Sequence, residues 1–373
     1  MILTHETLFS SSSTGQKLFW WMEQDTSMKR SCAKTGADGK VKRTAWITCK
    51  GKNIGKSNES TPETQAGLEV GANYAKKLKD HWWSNEADWQ KKDYIEPMLA
   101  RKYGDTVIEA PIYGQHKLDG IRCILTKDGA FSRKGEPFVS IPHIVKGSKA
   151  FFKDYPDAIF DGELYNHEYK DRFEDLTSII RRQTLTPHQF AISKGLIQYH
   201  IYDLISLPEQ PFSSRDKELR RYIYNGSLDT DIFKKVPSSY LSSIDKVDAC
   251  LEESLAQGYE GLMVRLDTPY EIGKRSKSLL KYKKFDTAEF TILDIQEGKG
   301  NWAGYAKRLI IQLEDNTPCE AGIKGDFEFT KKLLEDKALY IGKEATLRFF
   351  GRTSDNKLRF GVAIDFHQGK RTD

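Results

Sequence analysis

The sequence predicts an α+β chain of two or three domains. Three observations lead there. Its 373 residues exceed one domain of the usual ~100–200 residues. Strand-like and helix-like stretches alternate across residues 93–286. The last 87 residues hold several short β-rich segments separated by Gly, Asn and Asp turns, the pattern of a small barrel.

The elements follow in order. Residues 1–60 read as short strands. Leu18 to Met22 is an aromatic run, Ala37-Asp38-Gly39-Lys40 is a hairpin turn signal, and Thr44 to Cys49 has strand-forming residues. Thr61-Pro62-Glu63 starts a helix, with Thr as cap, Pro in the first turn and Glu at the positive dipole end; it runs to about His81. Trp82, Trp83 and Trp89 follow in a charged linker, where packing at a domain junction is favoured over base stacking. Next, Tyr113–Leu118, Ala130–Ser132, Ala158–Phe160 and Gln198–Asp203 read as strands, and Asp175–Arg182 and Ile244–Gln257 as helices. Glu289–Ile295, Arg308–Leu313, Glu344–Phe350 and Arg359–Ile364 supply the barrel strands.

Composition narrows the class. With 38% hydrophobic and 12% aromatic residues, the chain is too apolar to be disordered. No apolar run approaches the ~18–20 residues that span a bilayer, so no membrane role is expected. Residues 1–16 lack the apolar core of a secretory signal. Five scattered cysteines form no CxxC pair, which argues against a disulfide framework or zinc ribbon and for a reducing, cytoplasmic setting. The formal charge is +5, which permits nucleic acid. All of it lies in residues 1–92, which hold 15 Lys/Arg and 10 Asp/Glu; the remainder balances at 43 of each. Those first residues are either a basic solubilising surface or an accessory module that touches a polyanion.

The strongest chemical string is Lys117-Leu118-Asp119-Gly120-Ile121-Arg122, at the end of an apolar strand. A lysine on a rigid strand becomes a nucleophile when burial or neighbouring cations lower its pKa. Alone the string is weak. It is followed in order by Ser132-Arg133-Lys134-Gly135, Phe160-Asp161-Gly162-Glu163, Tyr199 to Leu204, Glu260-Gly261-Leu262-Met263-Val264-Arg265, and Ser278 to Phe285. In the last of these the period of two puts Lys281 and Lys283 on one strand face. Taken singly, each has a bland reading: an acid capping a turn, a solvated strand face, a core tyrosine at position 202. Six coincidences in order do not.

The ordered set resembles the ATP-dependent DNA ligases of the covalent nucleotidyltransferase superfamily, in the sequence of motifs I, Ia, III, IIIa, IV and V. The resemblance covers about residues 93–373. It implies an adenylation core over 93–286 with antiparallel sheets (an ATP-grasp-like ligase core) and an oligonucleotide-binding (OB-fold) barrel over 287–373. Residues 1–92 look like the small N-terminal α+β module of some bacteriophage ligases.

Site residues follow from the resemblance one by one. Lys117 matches the nucleophile that attacks the α-phosphate of ATP. Lys281 and Lys283 match the motif V lysines that stabilise that phosphate. Glu163 and Glu260 match acids used for the ribose and for Mg²⁺, with Mn²⁺ as a substitute; hard oxygen donors suit both. Tyr202 matches the ring stacked on adenine, and His116 contributes backbone groups to the base. Arg122 and Arg133 match residues that hold ribose and phosphates. Arg133, Lys134 and Arg275 are the expected DNA contacts. In the final strand Gly361 stands where the family has Pro, so Lys370 and Arg371 are candidates only for motif VI. The implied partner is nicked duplex DNA, bound by a monomer in a bacterial or phage-infected cytoplasm. An RNA ligase or an mRNA guanylyltransferase shares the lysine motif and the lysine pair. Ser132 to Gly135 and the Gly298 to Gly304 turn favour a DNA ligase, and the missing zinc cysteines disfavour an NAD-dependent one. A nucleic-acid-binding module with a decayed core is opposed by the intact Lys117, Glu163, Glu260, Lys281 and Lys283.

Overall fold

A computed structural model describes residues 2–12, 15–25, 29–35, 39–91, 94–109, 111–224, 227–353 and 355–367, with the side chains of 29–35 and Asn301 outside the description. The chain is α+β. Contacts divide it into two units: Asp93–Phe285 with Thr353–Asn356, and Met1–Lys92 with Asp286–Arg352 and Lys357–Asp373.

The first segment is a six-stranded sheet of β1 (Ile2–Thr4), β2 (Leu8–Ser11), β3 (Lys17–Asp25), β4 (Lys29–Thr35), β5 (Val41–Arg43) and β6 (Ile47–Thr48), with helix α1 (Pro62–Lys79). Alternation along β3 buries Trp20 and Met22 against Leu8 of β2 and Val70 of α1. Thr61 caps α1 by accepting from the backbone N–H of Thr64, as its sequence predicts. The strand expected over Thr44–Cys49 is confined to Ile47–Thr48. Arg43 pairs with Ala33 but Ile47 pairs with Arg30, so Thr44-Ala45-Trp46 oppose only two residues of β4. The extra residue is a β-bulge that leaves Ile47–Thr48 as the ladder. Ala37 and Asp38 of the predicted hairpin turn lie outside the described residues. Trp82 packs on the cluster of Leu8, Trp20, Met22 and Val70, while Trp83 pairs with Phe9 in a backbone β-bridge and its indole N–H donates to the Lys91 carbonyl at 3.3 Å. Lys77 covers Trp82 at 4.3 Å from its ring.

Among the described residues, the central unit contains two five-stranded sheets and six α-helices. Its elements are β7 (Leu99–Lys102), β8 (Ile112–Lys117), β9 (Ile121–Thr126), β10 (Gly129–Ser132), α2 (Pro142–Gly147), α3 (Lys149–Asp154), β11 (Phe160–Tyr165), α4 (Phe173–Ile180), α5 (Pro187–Leu196), β12 (Gln198–Leu204), α6 (Phe212–Tyr224), β13 (Phe233–Lys235), β14 (Ser238–Leu241), α7 (Lys246–Ala256), β15 (Gly261–Leu266) and β16 (Arg275–Tyr282). One sheet runs β10-β9-β11-β12-β13 and the other β14-β8-β15-β16-β7. Pairing is antiparallel except β12 with β13 and β16 with β7. Phe151, Phe160, Tyr199 and Phe233 are fully buried in the core of the first sheet and its helices. The strand expected to start at Ala158 starts at Phe160, because the Ala158 N–H is already taken by the Tyr155 carbonyl in a turn.

The last segment closes a barrel in the order β17-β18-β19-β21-β20, from β17 (Asp286–Glu297), β18 (Ala306–Gln312), β19 (Pro318–Ile323), β20 (Glu344–Phe349) and β21 (Val362–Phe366), with helix α8 (Phe327–Glu335) between β19 and β20. Ile292, Leu309, Ile311 and Leu347 are fully buried in its core. The final strand begins at Val362 rather than Arg359. Phe360 takes a left-handed φ of 53° and stays exposed, which breaks the extended run. No helix among the described residues is long and apolar enough to cross a membrane.

Candidate active site

Strand β8 sets the geometry. Its period of two sends His116 toward α7, where its Nδ1 meets the Ser254 hydroxyl at 3.0 Å, while Gln115 points toward β12. The Gln115 amide donates to the Tyr202 carbonyl at 3.1 Å and to the Ser238 hydroxyl at 3.0 Å, and its oxygen accepts from Arg265 at 2.6 Å. Lys117 ends β8. The chain then turns through Leu118, Asp119 and Gly120 into β9. A Cβ at position 120 would lie 2.4 Å from the Leu164 carbonyl oxygen, so only glycine lets the turn pass β11 this closely.

A cavity of about 290 Å³ opens at this turn. It is lined by His116, Lys117, Arg122, Arg133, Glu163, Tyr202, Arg275 and Lys281, together with Gln115, Arg265, Met263 and a few apolar neighbours. The first eight are residues singled out from the sequence, drawn from six elements or turns. Glu260 and Lys283 join them through Lys117. The Glu260 carboxylate takes the Lys117 ammonium on one oxygen and the Lys283 ammonium on the other. Lys283 follows directly after β16, one residue beyond its last strand residue. Lys134 stands apart: it is exposed in the turn after β10 and does not line the cavity. Lys370 and Arg371 lie outside the described residues.

Burial dominates the electrostatics. It pushes the Lys117 ammonium below the ordinary lysine range, against the pull of Glu163 and Asp119. Burial also lowers Lys281, helped by the like charges of Lys117 and Arg275. Glu163 is pushed up to about 7 by burial, although Lys117 and Arg122 oppose the rise. Its carboxylate accepts the Tyr202 hydroxyl at 3.5 Å. Arg122 is committed within the wall. It grips Asp161 at 2.8 and 2.5 Å and donates to the Met98 carbonyl at 2.7 Å, with the Tyr270 hydroxyl at 3.3 Å. Behind Tyr202, buried Asp203 accepts from Arg215 at 2.7 and 3.1 Å and from Arg265 at 2.6 Å.

The sequence reading missed Gln115 and Arg265 as wall residues. Gln115 carried a usable signal, since it lies two residues before Lys117 and so shares its strand face. Arg265 carried none, because its partners Asp203 and Gln115 lie 62 and 150 residues away.

Chemically, the cavity offers an amine with a lowered proton affinity, two more cations beside it, and carboxylates of two kinds. Such a set can carry out nucleophilic attack on a phosphate. A family model described as the ATP dependent DNA ligase domain matches residues 97–283. The chain belongs to this family. The match contains the whole cavity wall and the Lys117–Glu260–Lys283 cluster. Among proteins of the family, DNA ligase 1 of Korarchaeum cryptofilum is 27% identical over 299 residues, covering 74% of this chain and 53% of that relative. The DNA ligase of Thermococcus onnurineus is 27% identical over 278 residues, covering 67% and 48%. The chain thus spans about half the length of the curated relatives it matches. A solved Lig E DNA ligase shares the fold at a TM-score of 0.60 and 24% identity, over 73% of this chain and 98% of that one.

Proposed function

We propose that this chain is an ATP-dependent DNA ligase that seals nicks in duplex DNA. The observation that carries the reading is the Lys117–Glu260–Lys283 cluster at the wall of a cationic cavity of about 290 Å³, in a member of the ligase domain family. In this reading the free amine of Lys117 attacks the α-phosphate of ATP. The nitrogen–phosphorus bond forms as the bond to pyrophosphate breaks, and the lysine proton is lost to solvent. AMP then passes to the 5′-phosphate at the nick, and the 3′-hydroxyl displaces AMP to close the strand. Splitting one condensation into transfers is what covalent catalysis achieves. Lys281 and Lys283 oppose the charge that builds on the phosphate. Tyr202 forms the ring face for adenine, His116 offers backbone groups to it, and Arg133 and Arg275 meet phosphates of nucleotide or DNA, with Lys134 on the DNA side. Arg122, which lines the cavity while gripping Asp161, meets the ribose and phosphates of the nucleotide.

Glu163 and Glu260 are the oxygen donors that would hold Mg²⁺ or Mn²⁺. Glu163 lines the cavity, and a carboxylate raised to about 7 by burial gains by facing a divalent cation. The two oxygens of Glu260 hold Lys117 and Lys283, so Glu260 would have to release one of them, and the described residues contain no cluster of three or more acidic, His or Cys ligands. An ion held there would supply charge neutralisation to the phosphates. Residues 1–92 act as an accessory grip on DNA, 93–286 as the adenylation domain and 287–373 as an OB-fold barrel. The enzyme works as a monomer in the cytoplasm, in repair, replication or recombination.

The test is sealing of a 5′-phosphorylated nick in a labelled duplex with ATP and Mg²⁺, run beside the same nick in RNA. Joined DNA at a higher rate than joined RNA supports the reading. Joining of RNA alone, or no joining, contradicts it.

A further inference from the structure

Tyr259, the residue before Glu260, is held between two imidazoles. Its ring stacks on His116 at 4.1 Å between centroids and 9° between planes, and on His167 at 4.2 Å and 28°. His116 precedes Lys117 on β8, and His167 follows β11 by two residues. The three rings therefore join the ends of both sheets at the turn that carries Lys117.

Each imidazole is fixed in orientation. The Ser254 hydroxyl donates to the Gly261 carbonyl at 2.6 Å, so toward His116 it accepts, and His116 Nδ1 carries the proton. His167 Nε2 faces the Gln257 carbonyl at 3.1 Å and must donate to it. Its Nδ1 then accepts the Tyr165 hydroxyl at 2.8 Å. Burial lowers both imidazoles below their ordinary range, which keeps the stack neutral. The backbone adds a further constraint. Gly258 ends α7 at a left-handed φ of 83°, and the Tyr259 N–H returns to the Ser254 carbonyl at 3.1 Å. From there the chain has one residue, Glu260, before β15 begins.

We infer that Tyr259 is a positioning residue for nucleotidyl transfer, whose ring, gripped by His116 and His167, holds the Glu260 carboxylate against the Lys117 ammonium. The inference rests on Lys117 being the nucleophile. A ring stack with defined planes fixes rotation about the Tyr259 side chain more tightly than an aliphatic contact of the same volume does. Small displacements of reacting groups cost large factors in rate.

The experiment is single-turnover self-adenylation of the full chain at saturating α-labelled ATP, read as a rate constant and an amplitude. Tyr259→Leu keeps apolar bulk but removes the stack; Tyr259→Phe keeps the stack. We expect Tyr259→Leu to lower the rate constant on the order of ten-fold or more, with amplitude and apparent KM for ATP unchanged, and Tyr259→Phe to restore the wild-type rate. A merely structural role would lower the amplitude at an unchanged rate constant, and that result overturns the inference. So does a Phe variant no faster than the Leu variant. If Tyr259→Leu does not fold, His167→Leu, which frees only one face, must give a partial loss of rate, and a wild-type rate there overturns it. Label on wild type with unchanged variants removes this inference alone. No label on wild type removes the nucleotidyl-transfer reading with it.

Discussion

The backbone N–H of Glu260 donates to the carbonyl oxygen of Lys117 at 3.0 Å. The same two residues meet again through their side chains, ammonium to carboxylate. Gly261 pairs with Lys117 across the antiparallel β8–β15 ladder, so the register of a sheet sets the distance between amine and acid. A rigid ladder rather than a loop supports the candidate nucleophile, which suits chemistry that depends on position.

The pH dependence of self-adenylation follows from this wall. Attack needs the unprotonated amine, so the rate should rise with pH and level off once the lowered Lys117 pKa is passed. That plateau should be reached below the ~10.4 of an ordinary lysine. Above pH about 7, where Glu163 is ionised, its charge holds the ammonium on. Glu163→Gln should therefore move the rising limb to lower pH. Single-turnover rates from pH 6 to 10 check this, and an upward shift would refute it.

Glu163 also has a stability signature. Its folded pKa is raised from 4.5 to about 7, so between those values the unfolded chain releases a proton that the folded chain keeps. Stability from this group is fully present below pH 4.5 and is lost as pH rises through about 7. The loss is on the order of 3 kcal/mol. In Glu163→Gln, urea unfolding should be flatter than wild type across that window. Parallel curves would show that Glu163 does not titrate as described.

Behind the cavity, Asp203 is the shared carboxylate partner of two guanidinium groups that are almost fully buried, Arg215 and Arg265. Asp203→Ala strands both charges and should cost about 3–5 kcal/mol. A denaturant melt of the full chain measures this; a cost under about 1 kcal/mol would mean that water or another group replaces the carboxylate.

Gly120→Ala probes the turn. Its new Cβ would meet the Leu164 carbonyl oxygen at 2.4 Å and the Glu163 Cγ at 2.8 Å. The turn must shift, at about 1–3 kcal/mol of stability. Adenylation should fall on the order of a hundred-fold, because Lys117 and Glu163 both move. A variant with normal adenylation would show that the turn tolerates the shift without moving Lys117.

The basic segment is tested by removing residues 1–92, which carry the whole +5 excess. DNA binding should weaken more than self-adenylation, and the salt dependence of binding should become shallower. Equal loss of both would make the segment structural.

Much of this was legible because its signals are local. The Thr61-Pro62 start of α1, the Lys117 turn and the strand carrying Lys281 each show their chemistry within a few residues. What was not legible is long-range. The Arg265 grip on Gln115 and Asp203, and the stack of His116, Tyr259 and His167, join residues far apart in the chain, and no periodicity announces them. The strand limits at Thr44–Trp46 and Arg359–Gly361 failed for another reason. Strand-forming residues there are overridden by a bulge in one case and a left-handed residue in the other.

Above all, Lys117 should become covalently linked to AMP. Incubating the chain with α-labelled ATP and Mg²⁺, then resolving it on a denaturing gel, tests this directly. A labelled band from ATP that is absent in Lys117→Ala is the expected result. Label that survives in Lys117→Ala, label from GTP alone, or no label from any nucleotide would contradict it.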